Sequence, residues 1–257
     1  MKPVPGASRR RARRRHGDRG VAVALAMVLL PAATASAAGV EGREPSADFK
    51  LSRPGADLWR WALVERGVAA RAAPDPGARV VARLRTRTPE GTPEAVPLLL
   101  RRAVGGRLWI QVRLPVLPNG TTGWIPRGAV GGYEETRAHL IVRRGRRTAR
   151  LERRGRTVFR ARVGIGQPRW PTPAGEFIVR NRLTGFSDPV YGALAFGTTA
   201  RSATLTDWPG GGFIGIHGTD QPGLIPGRVS HGCIRLRDRD IRRLDRLMPV
   251  GAAVTIR

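Results

Sequence analysis

A chain of 257 residues is long enough for one large or two modest domains with a buried core. Its 46 Lys+Arg against 19 Asp+Glu give a net charge of +27, almost all of it arginine, because the only lysines are Lys2 and Lys50. That balance suits an anionic partner, but dispersed arginines and only two tyrosines supply no reading surface for nucleic acid, which is excluded as a partner. Arginine in place of lysine also follows from a base composition that favours Ala, Gly and Arg.

The N-terminus has three parts. Arg9, Arg10, Arg11, Arg13, Arg14 and Arg15 form a basic block, an apolar run follows from Val21 to Leu30, and Ala33-Thr34-Ala35 and Ala35-Ser36-Ala37 offer small-x-small cleavage sites. This predicts a secretory signal over 1–37, cut after Ala37. The run is about ten residues, short of the roughly twenty that a spanning helix needs. Counting Ala32 to Ala38 lengthens it, so an uncleaved anchor is the alternative, and only then would the membrane be a partner. Either way the rest of the chain is expected outside the cytoplasmic membrane.

Residues 38–57 are polar and punctuated by Pro and Gly, the pattern of a linker. Over 58–133 short strands are predicted at Arg79–Leu84, Ala95–Val104, Arg107–Leu114 and Thr122–Arg127, separated by turn sequences such as Gly105-Gly106 and Pro118-Asn119-Gly120. Trp109 and Trp124 lie in these strands as core residues or as the walls of a groove. Over 134–257 further strands are expected at His139–Arg144, Thr148–Arg153, Thr157–Gly164, Gly175–Arg180, Phe213–Ile216 and Ala252–Ile256. The arginines of this region alternate with apolar residues, as on a half-solvated sheet face. Ile241, Leu244, Leu247 and Met248 repeat at helical spacing after Asp238, a candidate N-cap, and Pro249 ends that helix.

The only cysteine, Cys233, lies in Ser230-His231-Gly232-Cys233-Ile234-Arg235-Leu236, and a second histidine-glycine pair, His217-Gly218, stands upstream with twelve residues between His217 and Ser230. An unpaired thiol in an exported chain is either inert filler or a reactive group. A thiol needs a base to become a nucleophile, because the thiolate is the reactive form. His231 is two residues from Cys233, and His217 ends another strand from which the fold can place it across from the thiol. An imidazole there would take the proton and hold the thiolate as an ion pair, with the Gly218 carbonyl fixing its tautomer. Backbone N–H groups near Gly232 and Cys233 would serve an oxyanion. The set equips acyl transfer from an amide through a thioester, and no cofactor is called for.

Ile216-His217-Gly218-Thr219-Asp220 with Ser230-His231-Gly232-Cys233-Ile234-Arg235-Leu236 resembles the signature of the L,D-transpeptidase catalytic domain, the YkuD family. Pro171-Thr172-Pro173-Ala174-Gly175-Glu176-Phe177 is similar to a loop and strand upstream in that family, with Ala174 where a Thr or Lys is common. Trp109–Pro115, Asn119-Gly120 and Gly123-Trp124-Ile125 resemble a bacterial SH3-like module. The resemblance implies a mainly β chain: a small SH3-like β-barrel, then a β-rich sandwich domain with a short C-terminal helix. It makes Cys233 the nucleophile and His217 the general base or acid, with Gly218 orienting the histidine. Ser230, His231 and Gly232 shape the nucleophile turn and oxyanion pocket. Arg235 either contacts a substrate carboxylate or braces the loop, and Tyr191 borders the groove without an assigned role.

The substrate so implied is the peptide stem of peptidoglycan. Attack on a tetrapeptide stem would release D-alanine, and an amine on another stem would form a 3→3 cross-link. Carbapenem-type β-lactams are then expected as covalent inhibitors, and anionic wall polymers as partners of the basic surface. Water or a protein amine as acceptor would make the chain an L,D-carboxypeptidase or a protein-to-wall ligase. From other classes come a non-catalytic wall-binding protein and a zinc hydrolase using His217, Asp220, His231 and Cys233, the latter without an H-E-x-x-H helix.

Overall fold

The structure, a computed structural model, describes residues 48–53, 57–205 and 211–257, all within one unit that spans 43–257. The predicted signal peptide and most of the predicted linker lie outside the described residues.

The first sheet is entirely antiparallel. Its strands are β1 (Phe49–Lys50), β2 (Trp59–Leu63), β3 (Val68–Arg71), β4 (Val80–Leu84), β5 (Ala95–Val104), β6 (Arg107–Arg113), β7 (Thr122–Pro126) and β8 (Glu134–Thr136). They run in the order β4-β3-β7-β6-β5-β2-β8, with β1 pairing β5 off that path. Strand period two turns Leu98, Ile110, Val112 and Ile125 inward, where none is exposed. Trp109 and Trp124 are core residues, only 3% and 5% exposed, so neither lines a groove. β1 and the buried Leu51 come from the end of the polar stretch read as linker, which is strand and core here.

The second sheet has ten strands: β9 (Ala138–Arg143), β10 (Thr148–Arg153), β11 (Arg156–Arg162), β12 (Gly164–Gly166), β13 (Gly175–Leu183), β14 (Ala195–Arg201), β15 (Phe213–His217), β16 (Gly227–Ser230), β17 (Ile234–Arg235) and β18 (Ala253–Ile256). Their order is β11-β10-β9-β18-β13-β14-β15-β17-β12-β16. Leu140, Leu151, Phe159, Val179, Phe196, Ile214, Ile216 and Ile234 form its core with the inner face of α1 (Asp238–Asp245). Ile241 and Leu244 carry that helix face, while Leu247 and Met248 fall just past its end. Asp238 is not the N-cap. Arg237 holds that position without a side-chain cap, and Asp238 Oδ1 instead accepts the N–H groups of Ala193 and Thr219, each at 3.2 Å.

Polar contacts tie the two sheets together. Asn119 exchanges two hydrogen bonds with the Arg201 backbone, Nδ2 to O at 2.7 Å and N to Oδ1 at 2.9 Å. Trp59 packs against His139, which bonds Thr255 Oγ1 at 2.8 Å and so lies outside any catalytic arrangement. The deepest contact is Arg180 on β13. Its side chain is fully buried, its guanidinium lies 3.7 Å from the Phe213 ring centroid, and it faces Glu90 at 2.7 Å and Glu94 at 3.8 Å from the β4–β5 loop. Burial pushes the Glu94 carboxyl above its usual range against the pull of Arg180.

Removing one partner of a buried ion pair strands the other charge, at a cost of about 3–5 kcal/mol. Arg180→Ala is therefore expected to lower unfolding free energy by about that amount at pH 7 in denaturant titrations. The loss should shrink at acid pH, where Glu94 is protonated and no longer a stranded charge; a loss that does not change with pH would contradict this account.

Candidate active site

Strand register builds the site. β15 pairs β17 in parallel, with Ile216 beside Ile234 and His217 beside Arg235. One step back along both strands, Cys233 lies beside Gly215, and the Gly215 N–H donates to Cys233 Sγ at 3.3 Å. Alternate residues share a face, so Gly215 and His217 from one strand and Cys233 and Arg235 from the other point the same way. The lack of a side chain at Gly215 opens the space between them: a Cβ there would sit 3.7 Å from Cys233 Sγ and 3.7 Å from His217 Cδ2. The Leu236 N–H to His217 O bond (2.8 Å) and the Gly218 N–H to Leu194 O bond (3.1 Å) hold the end of β15 from both sides.

His217 Nδ1 lies 2.7 Å from the Gly218 carbonyl oxygen. A carbonyl only accepts, so Nδ1 carries the hydrogen and Nε2, next to the Cδ2 edge that faces Gly215, is left as the base. His217 is 3% exposed. Burial above all, with a smaller push from Arg235, lowers its pKa to about 4, against a rise from the Gly218 bond. Burial likewise pushes the Cys233 thiol up, opposed by the Gly215 N–H and the Arg235 charge. Burial thus favours the neutral imidazole at His217 and the thiol over the thiolate at the half-buried Cys233.

The turn before Cys233 is held by side chains. Ser230 Oγ donates to the Cys233 carbonyl at 2.5 Å and accepts the Gly232 N–H at 3.2 Å. Thr172 Oγ1 donates to the Gly232 carbonyl at 2.7 Å and accepts the Gly166 N–H at 2.8 Å. Gly232 has φ +114, open to glycine and strained for other residues. Its N–H donates to Ser230 Oγ, and its conformation sets the turn that leads into Cys233. His231 packs against Trp170 with ring centroids 4.1 Å apart and borders the site from its far side.

Two cavities meet at the thiol. One, of about 200 Å³, is lined by Cys233, His217, Ser230, His231, Arg235 and Tyr191. The other, of about 260 Å³, shares Cys233, His217 and Tyr191 and adds Phe186, Gly197 and Glu90. Tyr191 stands between them, 5.2 Å from the His217 ring and stacked on Phe186. Of the residues proposed from the sequence, Cys233, His217, Ser230, His231, Arg235 and Tyr191 line these cavities, Gly218 and Gly232 hold the backbone beside them, and Asp220 is exposed and lines neither. Thr172, Gly215, Phe213 and Glu90 join them unannounced, and of these only Thr172 lay in a motif singled out beforehand. Among the described residues no His, Cys, Asp and Glu side chains gather into a group of three or more that could hold a metal.

Alkylation of Cys233 by iodoacetamide, followed by mass spectrometry, is expected to rise with pH through a midpoint above about 8.5, the ordinary thiol value. Arg235→Gln should move that midpoint higher, because the Arg235 charge favours the thiolate. A midpoint at or below the ordinary value would contradict the burial argument.

Residues 137–256 match the family described as the L,D-transpeptidase catalytic domain, YkuD. A curated Bacillus licheniformis relative that carries the YkuD L,D-transpeptidase name is 36% identical over 110 residues, 43% of this chain and 59% of that protein. Its Bacillus subtilis counterpart is 32% identical over 118 residues, 46% of this chain and 65% of that one. The chain thus spans about three fifths of the length of these relatives. The solved catalytic domain of an L,D-transpeptidase from Enterococcus faecium is 24% identical, covering 47% of this chain and 96% of that one at a TM-score of 0.35. The match covers the segment that supplies β9 to β18, α1 and the paired Cys233 and His217, which is therefore similar to L,D-transpeptidase catalytic domains of the YkuD type.

Proposed function

We propose that the chain is a peptidoglycan L,D-transpeptidase that works through Cys233 and His217. The observation that carries this reading is a thiol and an imidazole Nε2 turned to one face of a parallel strand pair, between two cavities. Neutral His217 takes the thiol proton as Cys233 Sγ attacks the carbonyl of the third residue of a tetrapeptide stem. The tetrahedral intermediate collapses as the C–N bond breaks, and the imidazolium returns the proton to the leaving amine of D-alanine. A thioester remains. The amine of a second stem then attacks it, giving its proton to His217. The C–S bond breaks to release the 3→3 product, and the departing thiolate recovers the proton. Arg235 favours the thiolate in each half of the cycle and disfavours a permanently charged histidine.

Purified protein with a tetrapeptide stem is expected to yield D-alanine and 3→3 dimers by mass spectrometry, and Cys233→Ala neither. D-Alanine without dimers would point to the carboxypeptidase, and no release at all would overturn the reading. Release should persist down to an acid limb near pH 4, where His217 gains its proton, and His217→Ala should abolish it. A limb near 6.5, the ordinary histidine value, would show that burial does not lower the His217 pKa as the structure implies. A carbapenem should add its mass to wild type and not to Cys233→Ala.

We also propose that the protein acts outside the cytoplasmic membrane, in keeping with the signal layout of residues 1–37, and that its basic face holds it on an anionic wall polymer. Register places Arg143, Thr148 and Arg162 in one row across β9–β11 and Ile141, Arg150 and Arg160 in the next. With Arg146 these residues line a cleft of about 610 Å³. Like charges facing each other across strands are unfavourable, and guanidinium forks suit phosphate oxygens. Arg150→Ser with Arg160→Ser is expected to weaken co-sedimentation with a phosphodiester wall polymer at least fivefold at low salt. Equal binding by this variant and wild type would refute the assignment.

A further inference from the structure

The cavity of about 260 Å³ beside Cys233 takes part of its wall from the first sheet's side of the molecule: Glu90, in the β4–β5 loop, lines it with Cys233 and His217. The loop is fastened there. Glu90 Oε2 accepts Arg180 Nη2 at 2.7 Å and Asn181 Nδ2 at 3.3 Å, and Thr92 Oγ1 accepts Asn181 Nδ2 at 3.0 Å. Asn181 Oδ1 in turn accepts the N–H of Gly197, a further residue of the same cavity wall, at 3.0 Å. Phe213, beneath the Arg180 guanidinium, lines both cavities.

Charge gives this arrangement a direction. Arg180 faces two carboxylates, Glu90 and Glu94, and Arg201 lies over the same Phe213 ring, 4.7 Å from its centroid. Glu94 is buried, whereas the Glu90 side chain keeps 24% exposure and its Oε1 has no protein donor among the described residues. The other cavity ends instead on the cationic Arg235. In a chain of net charge +27, a carboxylate held at the mouth of a nucleophile's cavity is a local reversal of sign. Its Oε2 is already engaged by Arg180 and Asn181, so Oε1 is the oxygen open to a further cation.

We propose that Glu90 is an acceptor-binding residue that draws the side-chain ammonium of the incoming diamino-acid stem through this cavity to the thioester on Cys233. The β4–β5 loop is then part of the acceptor site, and amine competes better with water for the thioester. The proposal rests on the transpeptidase reading of Cys233. The ammonium releases one proton to solvent as it nears the thioester, and the free amine then attacks as described above, giving its second proton to His217.

The test is the ratio of 3→3 dimer to hydrolysed tripeptide, measured by mass spectrometry with the full chain and a tetrapeptide stem. Glu90→Gln keeps an acceptor for Arg180 and Asn181 but removes the charge, and it is expected to lower the ratio at least fivefold while raising the acceptor concentration for half-maximal dimer formation. Thr92→Val loosens the same loop without changing charge and should keep the ratio within twofold of wild type. In wild type the ratio should fall as salt is raised, since screening weakens the attraction at this partly exposed carboxylate. An unchanged ratio in Glu90→Gln, an equal fall in Thr92→Val, or a salt-independent wild-type ratio would each overturn the proposal. Failure of the transpeptidase reading looks different: wild type would then release no D-alanine at all.

Discussion

The parallel pairing of β15 with β17 is the constraint on which the site depends. It fixes His217 beside Arg235 and, one step back, Cys233 beside Gly215. A slip of one residue would turn one strand's set to the opposite face, separating thiol from base. The surroundings resist that slip. β14 pairs the other edge of β15, setting Ala195 beside His217. β12 pairs both β16 and β17, the strands on either side of the nucleophile turn. Ser230 and Thr172 tie the turn between them. Core residues Ile214, Ile216 and Ile234 alternate with the reactive ones, so the packing that stabilises the sheet also sets the aim of the chemistry.

Burial favours the uncharged form of both groups, most strongly at His217, which is buried, and less completely at Cys233, which is half-buried. Arg235 then acts on the two in opposite senses, favouring the thiolate and disfavouring the imidazolium. In the mechanism proposed above, proton transfer would then be coupled to arrival of an electrophile, because bond formation at sulfur relieves the cost of ionising it. The Gly218 carbonyl completes the arrangement by committing Nδ1 as donor, so that the proton has one nitrogen to go to.

Much of the fold could be read from local pattern. Ala95–Val104 and Thr148–Arg153 are strands over the residues expected, because turn residues bracket them and apolar residues alternate within them. β14, β16 and β17 escaped notice: Ala195–Arg201 is rich in small and hydroxyl residues, and the other two are short and joined through glycine. For the site, the motif around Cys233 marked the nucleophile, but spacing alone pointed as readily to His231 as to His217. Register places His217 on the face of the thiol, while His231 lines the same cavity and packs its ring on Trp170. Asp238 misled because an acid before an apolar period looks like a cap, whereas its carboxylate serves two neighbouring loops. Thr172 lies 60 residues from the carbonyl it binds and Glu90 lies 90 from Arg180. Contacts at such separations follow from topology, which no local window contains.

The resting state of the thiol also bears on its durability. Peroxides attack thiolates far faster than thiols, and the first product, a sulfenic acid, is rescued most readily by a neighbouring cysteine. This chain has no other cysteine, so an oxidised Cys233 has no internal route back and would proceed to irreversible acids. Burial that favours the protonated sulfur therefore also favours slower oxidation of a thiol that no second cysteine in the chain could rescue.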